Sequence, residues 1–91
     1  MNSGKIYVRV SAEFDRQGFV YPRAITWTDG RTYEIDKVLE VKHMYSSKAG
    51  GDGDRFTIMV SGQMRYLFYE RTAELQGNHL GRWFVEGQKT A

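Results

Sequence analysis

The residues with the most specific contact chemistry in this chain are its aromatics, five Phe, six Tyr and two Trp, interleaved with singly spaced cations. Lys5, Tyr7 and Arg9 recur at every second position, which sets them on one face of an extended strand. A ring between two cations is the chemistry of a single-stranded nucleic-acid platform. The ring stacks on a base, for ~1–3 kcal/mol per base, and the cations meet phosphates. Other tyrosines suit a protein partner: Tyr21 adjoins Pro22, and Tyr66 and Tyr69 bracket Leu67-Phe68. In that second stretch aromatics fall on both parities, so both faces of the strand cannot be solvated. Either the polar stretch 71–81 or a second subunit covers one of them, or the exposed rings serve a nucleic-acid platform.

Other chemistries find little support. Cysteine is absent, which excludes disulfides, thiolate zinc sites and cysteine nucleophiles. His43 and His79 lie far apart without an H-x-x-x-H spacing, and a metal would have to borrow Glu40 or Asp36, so no metal site is expected. The run Lys48-Ala49-Gly50-Gly51-Asp52-Gly53-Asp54-Arg55 invites a phosphate, yet it lacks G-x-x-x-x-G-K-[ST] and the third glycine of G-x-G-x-x-G. Its two aspartates would repel a phosphate. A calcium loop starting at Asp52 would need Glu at its twelfth position, where Gln63 stands. The run therefore reads as a hairpin connection. Ser46 and Ser47 near His43 read as turn residues, not nucleophiles. The acids Glu13, Glu34, Asp36 and Glu40 show no pairing specific to acid–base work. The expectation is a chain that is not an enzyme and takes no cofactor, because a small barrel has little room for a deep pocket.

Charge adds little. Lys plus Arg number 13 and Asp plus Glu 11; residues 1–45 carry seven basic and six acidic groups and residues 46–91 six and five. The two halves match, so there is no basic arm. No apolar run approaches the ~20 residues of a membrane helix. The N-terminus lacks the apolar core of a signal peptide. A cytoplasmic location without membrane contact is the expectation.

The elements that must hold the aromatics follow a period of two, the strand period. Ile6, Val8 and Val10 share one face and Lys5, Tyr7, Arg9 and Ser11 the other, with Phe14 continuing the apolar parity. Asp15-Arg16-Gln17-Gly18 supplies a turn. A second strand runs within residues 19–28; Pro22 inside it argues for a sheet edge or a start after the proline. Asp29-Gly30 predicts a type I′ hairpin turn. Residues 31–46 are long for one strand and change parity between Ile35 and Leu39, so a bend or bulge near Asp36-Lys37 is expected, giving cover to both Val38 and Leu39. Residues 46–54 read as a loop. Phe56, Ile58 and Val60 mark a strand, Gly62-Gln63 a tight turn, and residues 64–70 the return. Residues 71–81 read as a loop, with one helical turn over Thr72-Ala73-Glu74-Leu75. Residues 82–86 form the last strand.

About six antiparallel strands in so short a chain point to an all-β fold, a small meander closed into an SH3-like or OB-like barrel. Residues 1–87 form one domain and 88–91 a frayed tail. Phe14, Trp27, Phe56, Leu67 and Phe84 are the candidate core. Several stretches carry a resemblance: Ile25-Thr26-Trp27 with Asp29-Gly30-Arg31, Tyr33-Glu34-Ile35-Asp36 with Val38, Lys48-Ala49-Gly50-Gly51 with Gly53 and Arg55, Tyr66-Leu67-Phe68-Tyr69-Glu70, and Arg82-Trp83-Phe84-Val85-Glu86. On these the chain resembles an uncharacterised family of small Gram-positive bacterial proteins of the Firmicutes type. The resemblance implies a bacterial cytoplasmic protein and no particular activity. The function expected from the residues is a non-catalytic binding module. Its partner is a protein, including a second copy, met through a sheet edge or through Tyr21, Tyr66 and Tyr69. The alternative is single-stranded nucleic acid, met through Lys5, Tyr7 and Arg9.

Overall fold

A computed structural model describes residues 4–46 and 51–87. The alternating stretches become seven strands: β1 (Lys5–Phe14), β2 (Val20–Thr26), β3 (Thr32–Glu34), β4 (Lys37–Ser46), β5 (Gly51–Val60), β6 (Gln63–Gln76) and β7 (His79–Glu86). They form one antiparallel sheet in the order β3-β2-β1-β7-β6-β5-β4. The described residues contain no helix. Two meanders, β1-β2-β3 and β4-β5-β6-β7, are joined along β1 and β7, and the sheet curls into a half barrel. β3 and β4 are its outer edges, and the curled antiparallel sheet agrees with the expected small barrel-like fold. Those edges are consecutive in the chain, and a corner at Ile35-Asp36 bridges them. The Ile35 N–H donates to the Arg23 carbonyl and the Asp36 N–H to the Met59 carbonyl, both at 2.8 Å.

Seven strands replace the expected six because that corner divides the run 31–46. The expected bulge also exists, at Leu39, but Leu39 remains 48% exposed instead of finding cover. The stretch 71–81 is not a loop with a helical turn. β6 and β7 continue through it to a turn at Gly77-Asn78, and residues 72–75 bulge opposite Leu80. In the expected loop 46–54, Asp52, Gly53 and Asp54 lie within β5, paired with Tyr45, Met44 and His43. The remainder of that glycine run, residues 48–50, and the tail 88–91 lie outside the described residues.

Turn chemistry departs from expectation in an informative way. Asp29 keeps negative φ while Gly30 takes +91°. The Gly30 N–H donates to the Trp27 carbonyl, the Trp27 N–H donates to the Arg31 carbonyl, and Asp29 Oδ1 accepts the Arg31 N–H. This is a three-residue loop with glycine in the left-handed position, not a two-residue type I′ turn. The β1–β2 turn repeats the device with Gly18 at +93° and Asp15 as the cap. The β5–β6 turn is Ser61-Gly62, one residue earlier than expected. Both residues have positive φ, as a type I′ turn requires.

Pro22 is buried inside β2, which starts before it at Val20; β3 pairs only with Ala24–Thr26, so the proline lies beyond the end of β3, where β2 has a ladder partner on the β1 side alone. The register slips beside it, with Ser11 opposite Ala24 and Ala12 opposite Pro22. The proline thus sits at a bulge, where a missing ladder donor is tolerated.

The inner face of the curl carries the core. Phe56, Ile58 and Leu67 are at most 1% exposed, closed over by Ile25 and Ile35. One core expectation fails, and one is met from the other side of the sheet. Phe14 keeps the apolar parity, but its hairpin runs past the core and leaves it 72% exposed. Phe84 is buried on the outer face, in register with Tyr7 and Phe68. Trp27 is half-buried at the rim.

With so few fully buried side chains, each matters. Leu67→Ala is expected to cost about 2–5 kcal/mol, a large part of the ~5–15 kcal/mol typical of a domain. Urea unfolding should show a much lower midpoint or an unfolded chain; a loss near zero would place the core elsewhere.

Candidate functional site

The open feature of the fold lies beside β6. β6 pairs with β5 from Gln63 to Glu70, but its pairing with β7 begins only at Phe68 opposite Phe84. Further along, Val85 and Glu86 pair with Ile6 and Lys5 of β1. Residues 63–67 therefore present a free strand edge among the described residues. This edge faces a cleft of about 660 Å³ between β6, the end of β7 and the β2–β3 turn. Trp27 and Tyr33 form one wall, Met64, Tyr66 and Phe68 the other, and Ile58 and Val60 lie at the floor. Ser61, Gln63, Arg65 and Glu86 supply its polar groups. Met64 is 57% exposed. The Arg55 guanidinium sits 4.6 Å from the centre of the Tyr66 ring. Arg55 Nε is buried without a hydrogen-bond partner. Volume and lining match an apolar binding site with a few polar groups. The expectation of little interior room is corrected to that extent: the cavity is an open cleft with aromatic walls.

The outer face gathers the residues of the nucleic-acid reading and largely commits them to one another. Glu70 on β6 accepts hydrogen bonds from Lys5 and from the Tyr7 hydroxyl (3.1 Å) and is 3.3 Å from Arg82 Nη2. The Arg82 guanidinium lies 3.9 Å from the centre of the Tyr7 ring, and Lys5 Nζ 4.9 Å from the centre of Phe84. Phe84 stacks on Phe68 at 4.9 Å. Lys5 and Tyr7 are thus brought together, with one ring face under a cation and both polar heads on a carboxylate. Arg9 shares their parity, opposite Thr26. Burial alone would raise the Glu70 carboxyl above its ordinary value of 4.5. The hydrogen bonds from Lys5 and Tyr7 and the charges of Lys5 and Arg82 outweigh it and hold the carboxyl lower.

The tyrosines of the partner reading separate. Tyr66 lines the cleft. Tyr21 is 39% exposed on the β1–β2 hairpin, with the Arg23 guanidinium 5.6 Å from its ring centre. Tyr69 points inward, 4.9 Å from Trp83, and its hydroxyl lies 2.6 Å from where a Cβ on Gly81 would stand. It is half-buried and packs against the core. Trp27, Tyr33 and Met64 belong to the cleft and escaped sequence reasoning, because the gap between β6 and β7 that joins them has no local signal.

A third polar group lies at the far end of β4 and β5. His43 Nδ1 is 3.1 Å from Asp54 Oδ1 and its Nε2 3.4 Å from Asp52. Arg71 donates to Asp54 Oδ2 at 2.8 Å. His43 thus meets these two aspartates, not Glu40 or Asp36. Among the described residues no group of three or more His, Cys, Asp or Glu is disposed to hold a metal, and no helix is long and apolar enough to cross a membrane.

The fold and cleft define an all-β chain with an open, aromatic-walled groove. Comparison with protein-family models, curated proteins and solved structures returns no match.

The lowered Glu70 value links stability to pH. The stabilisation is complete above the ordinary value of 4.5 and is lost as pH falls through the lower folded value. With Lys5 and Arg82 partly exposed, Glu70→Gln is expected to cost about 1 kcal/mol near neutral pH. Urea unfolding across a pH series should show the gap to the parent closing in acid. A gap independent of pH would assign Glu70 a packing role instead.

Proposed function

We propose that this chain is a non-catalytic binding module whose cleft accepts an extended apolar segment of a protein. The observation that carries this reading is the free edge of β6 at residues 63–67, lying along apolar walls. Backbone groups on such an edge bind an added strand, and side-chain pockets beside it give specificity. Exposed Met64 and Tyr66 are the contact residues, with Tyr33 and Trp27 opposite. Of protein and single-stranded nucleic acid, protein has the better support. One face of the Tyr7 ring that would stack on a base lies under Arg82, and Lys5 is paired with Glu70.

Selection of random peptides against the immobilised chain tests the reading. Enriched peptides are expected to be apolar and extended, to perturb the amide resonances of residues 63–67, and to shift Trp27 emission. Met64→Glu is expected to weaken them at least tenfold, the scale of a single interface anchor. Peptides that bind equally well to Met64→Glu, or a selection that enriches nothing, would sink the reading.

A further inference from the structure

The chain also carries a protrusion that matches its own cleft. Phe14 and Phe19 flank the β1–β2 turn and are the two most exposed large apolar side chains among the described residues, at 72% and 62%. They are presented rigidly. Asp15 Oδ1 accepts the N–H groups of Gln17 and Phe19, the Asp15 N–H donates to the Phe19 carbonyl, and the Gly18 N–H donates to the Asp15 carbonyl. A turn so fully capped does not need two phenylalanines at its flanks for its own stability, and water is a poor neighbour for them.

We propose that the occupant of the cleft is the β1–β2 hairpin tip of a second copy of this chain, with Phe14 and Phe19 inserted between the Trp27–Tyr33 wall and the Met64–Tyr66 wall. The inference rests on the cleft reading above and names its partner. A tip cannot fill the cleft of its own chain. The tip and the Trp27 end of β2 lie at opposite ends of the β1–β2 ladder, six residue pairs apart, about 20 Å at the strand rise. Two hairpins laid antiparallel place each tip at the other's cleft, so a two-fold axis closes the pair with both contacts made. Charge agrees: Arg16 at the apex and Glu86 at the cleft are opposite in sign, and neither joins an ion pair among the described residues. Taking about 200 Å² for a phenylalanine side chain, each tip removes about 270 Å² from water. With both clefts counted the pair buries about 1,100 Å², the range of a weak, reversible dimer.

Sedimentation of the full chain over a concentration series tests this. Mass is expected to rise from 10.5 kDa toward twice that value. Phe14→Ser with Phe19→Ser, both on the surface, should keep the circular dichroism and melting of the parent yet stay monomeric. Met64→Glu should do the same from the other side of the contact. Mixing the two variants should restore part of the association, because one tip and one cleft remain intact. A monomeric parent at every concentration overturns the proposal, and so does a dimer that survives loss of both phenylalanines, as pairing along the free β4 edge would give. If the parent is monomeric while selected peptides still bind the cleft, the site stands and only this occupant is wrong. If Met64→Glu changes neither peptide binding nor mass, the cleft reading itself fails.

Discussion

Helix-free among its described residues, the chain hides Phe56, Ile58 and Leu67 only by bending the sheet that carries them until Ile25 and Ile35, from the far end, close over them. One apolar face with no second layer leaves curling as the route to burial. Much else follows from that bend. The Ile35-Asp36 corner exists because β3 and β4 lie at opposite ends of the strand order while remaining neighbours in sequence. Its two hydrogen bonds, to Arg23 and Met59, tie the ends of the curl together. The slips at Pro22 and Leu39 add local twist where a regular ladder would stay flat.

Bending also shapes the outside. The outer face is held across three strands by the Glu70 hub, with Lys5 and Tyr7 from β1 and Arg82 from β7. Phe84 is buried there under its neighbours although it faces away from the core. β7 is shared: its end runs with β1 while β6 turns away toward β5. The cleft is the consequence of that parting, and it brings the wall of one hairpin opposite the turn of another.

Much of the fold is legible in the residues. The alternation of Ile6, Val8 and Val10, and of Phe56, Ile58 and Val60, marks strands and their inward faces directly, since side-chain direction has a period of two. The change of parity around Asp36 marks the corner. The candidate site is legible only in pieces. Tyr66 stands out as an aromatic on a doubly apolar strand, but nothing near it in the sequence points to Trp27 or Tyr33. Lys5 and Tyr7 show the chemistry of a platform, and only Glu70, more than sixty residues away in the chain, reveals that they face a carboxylate. Tyr69 looks equivalent to Tyr66 by type and lies on the other face.

The sequence by itself determined the class of fold, the central part of the strand runs and the inward faces of Ile6, Val8 and Val10 and of Phe56, Ile58 and Val60, because these depend on neighbours one or two residues away. Tertiary structure alone decided that Phe14 stands outside the core of its own chain, that Asp52 and Asp54 lie in a strand beside His43, and that β6 keeps a free edge over an apolar cleft. Those outcomes depend on where the sheet curls and where two strands part, and such distances are set by twist summed over seven strands, a quantity to which every residue contributes and which no short stretch displays.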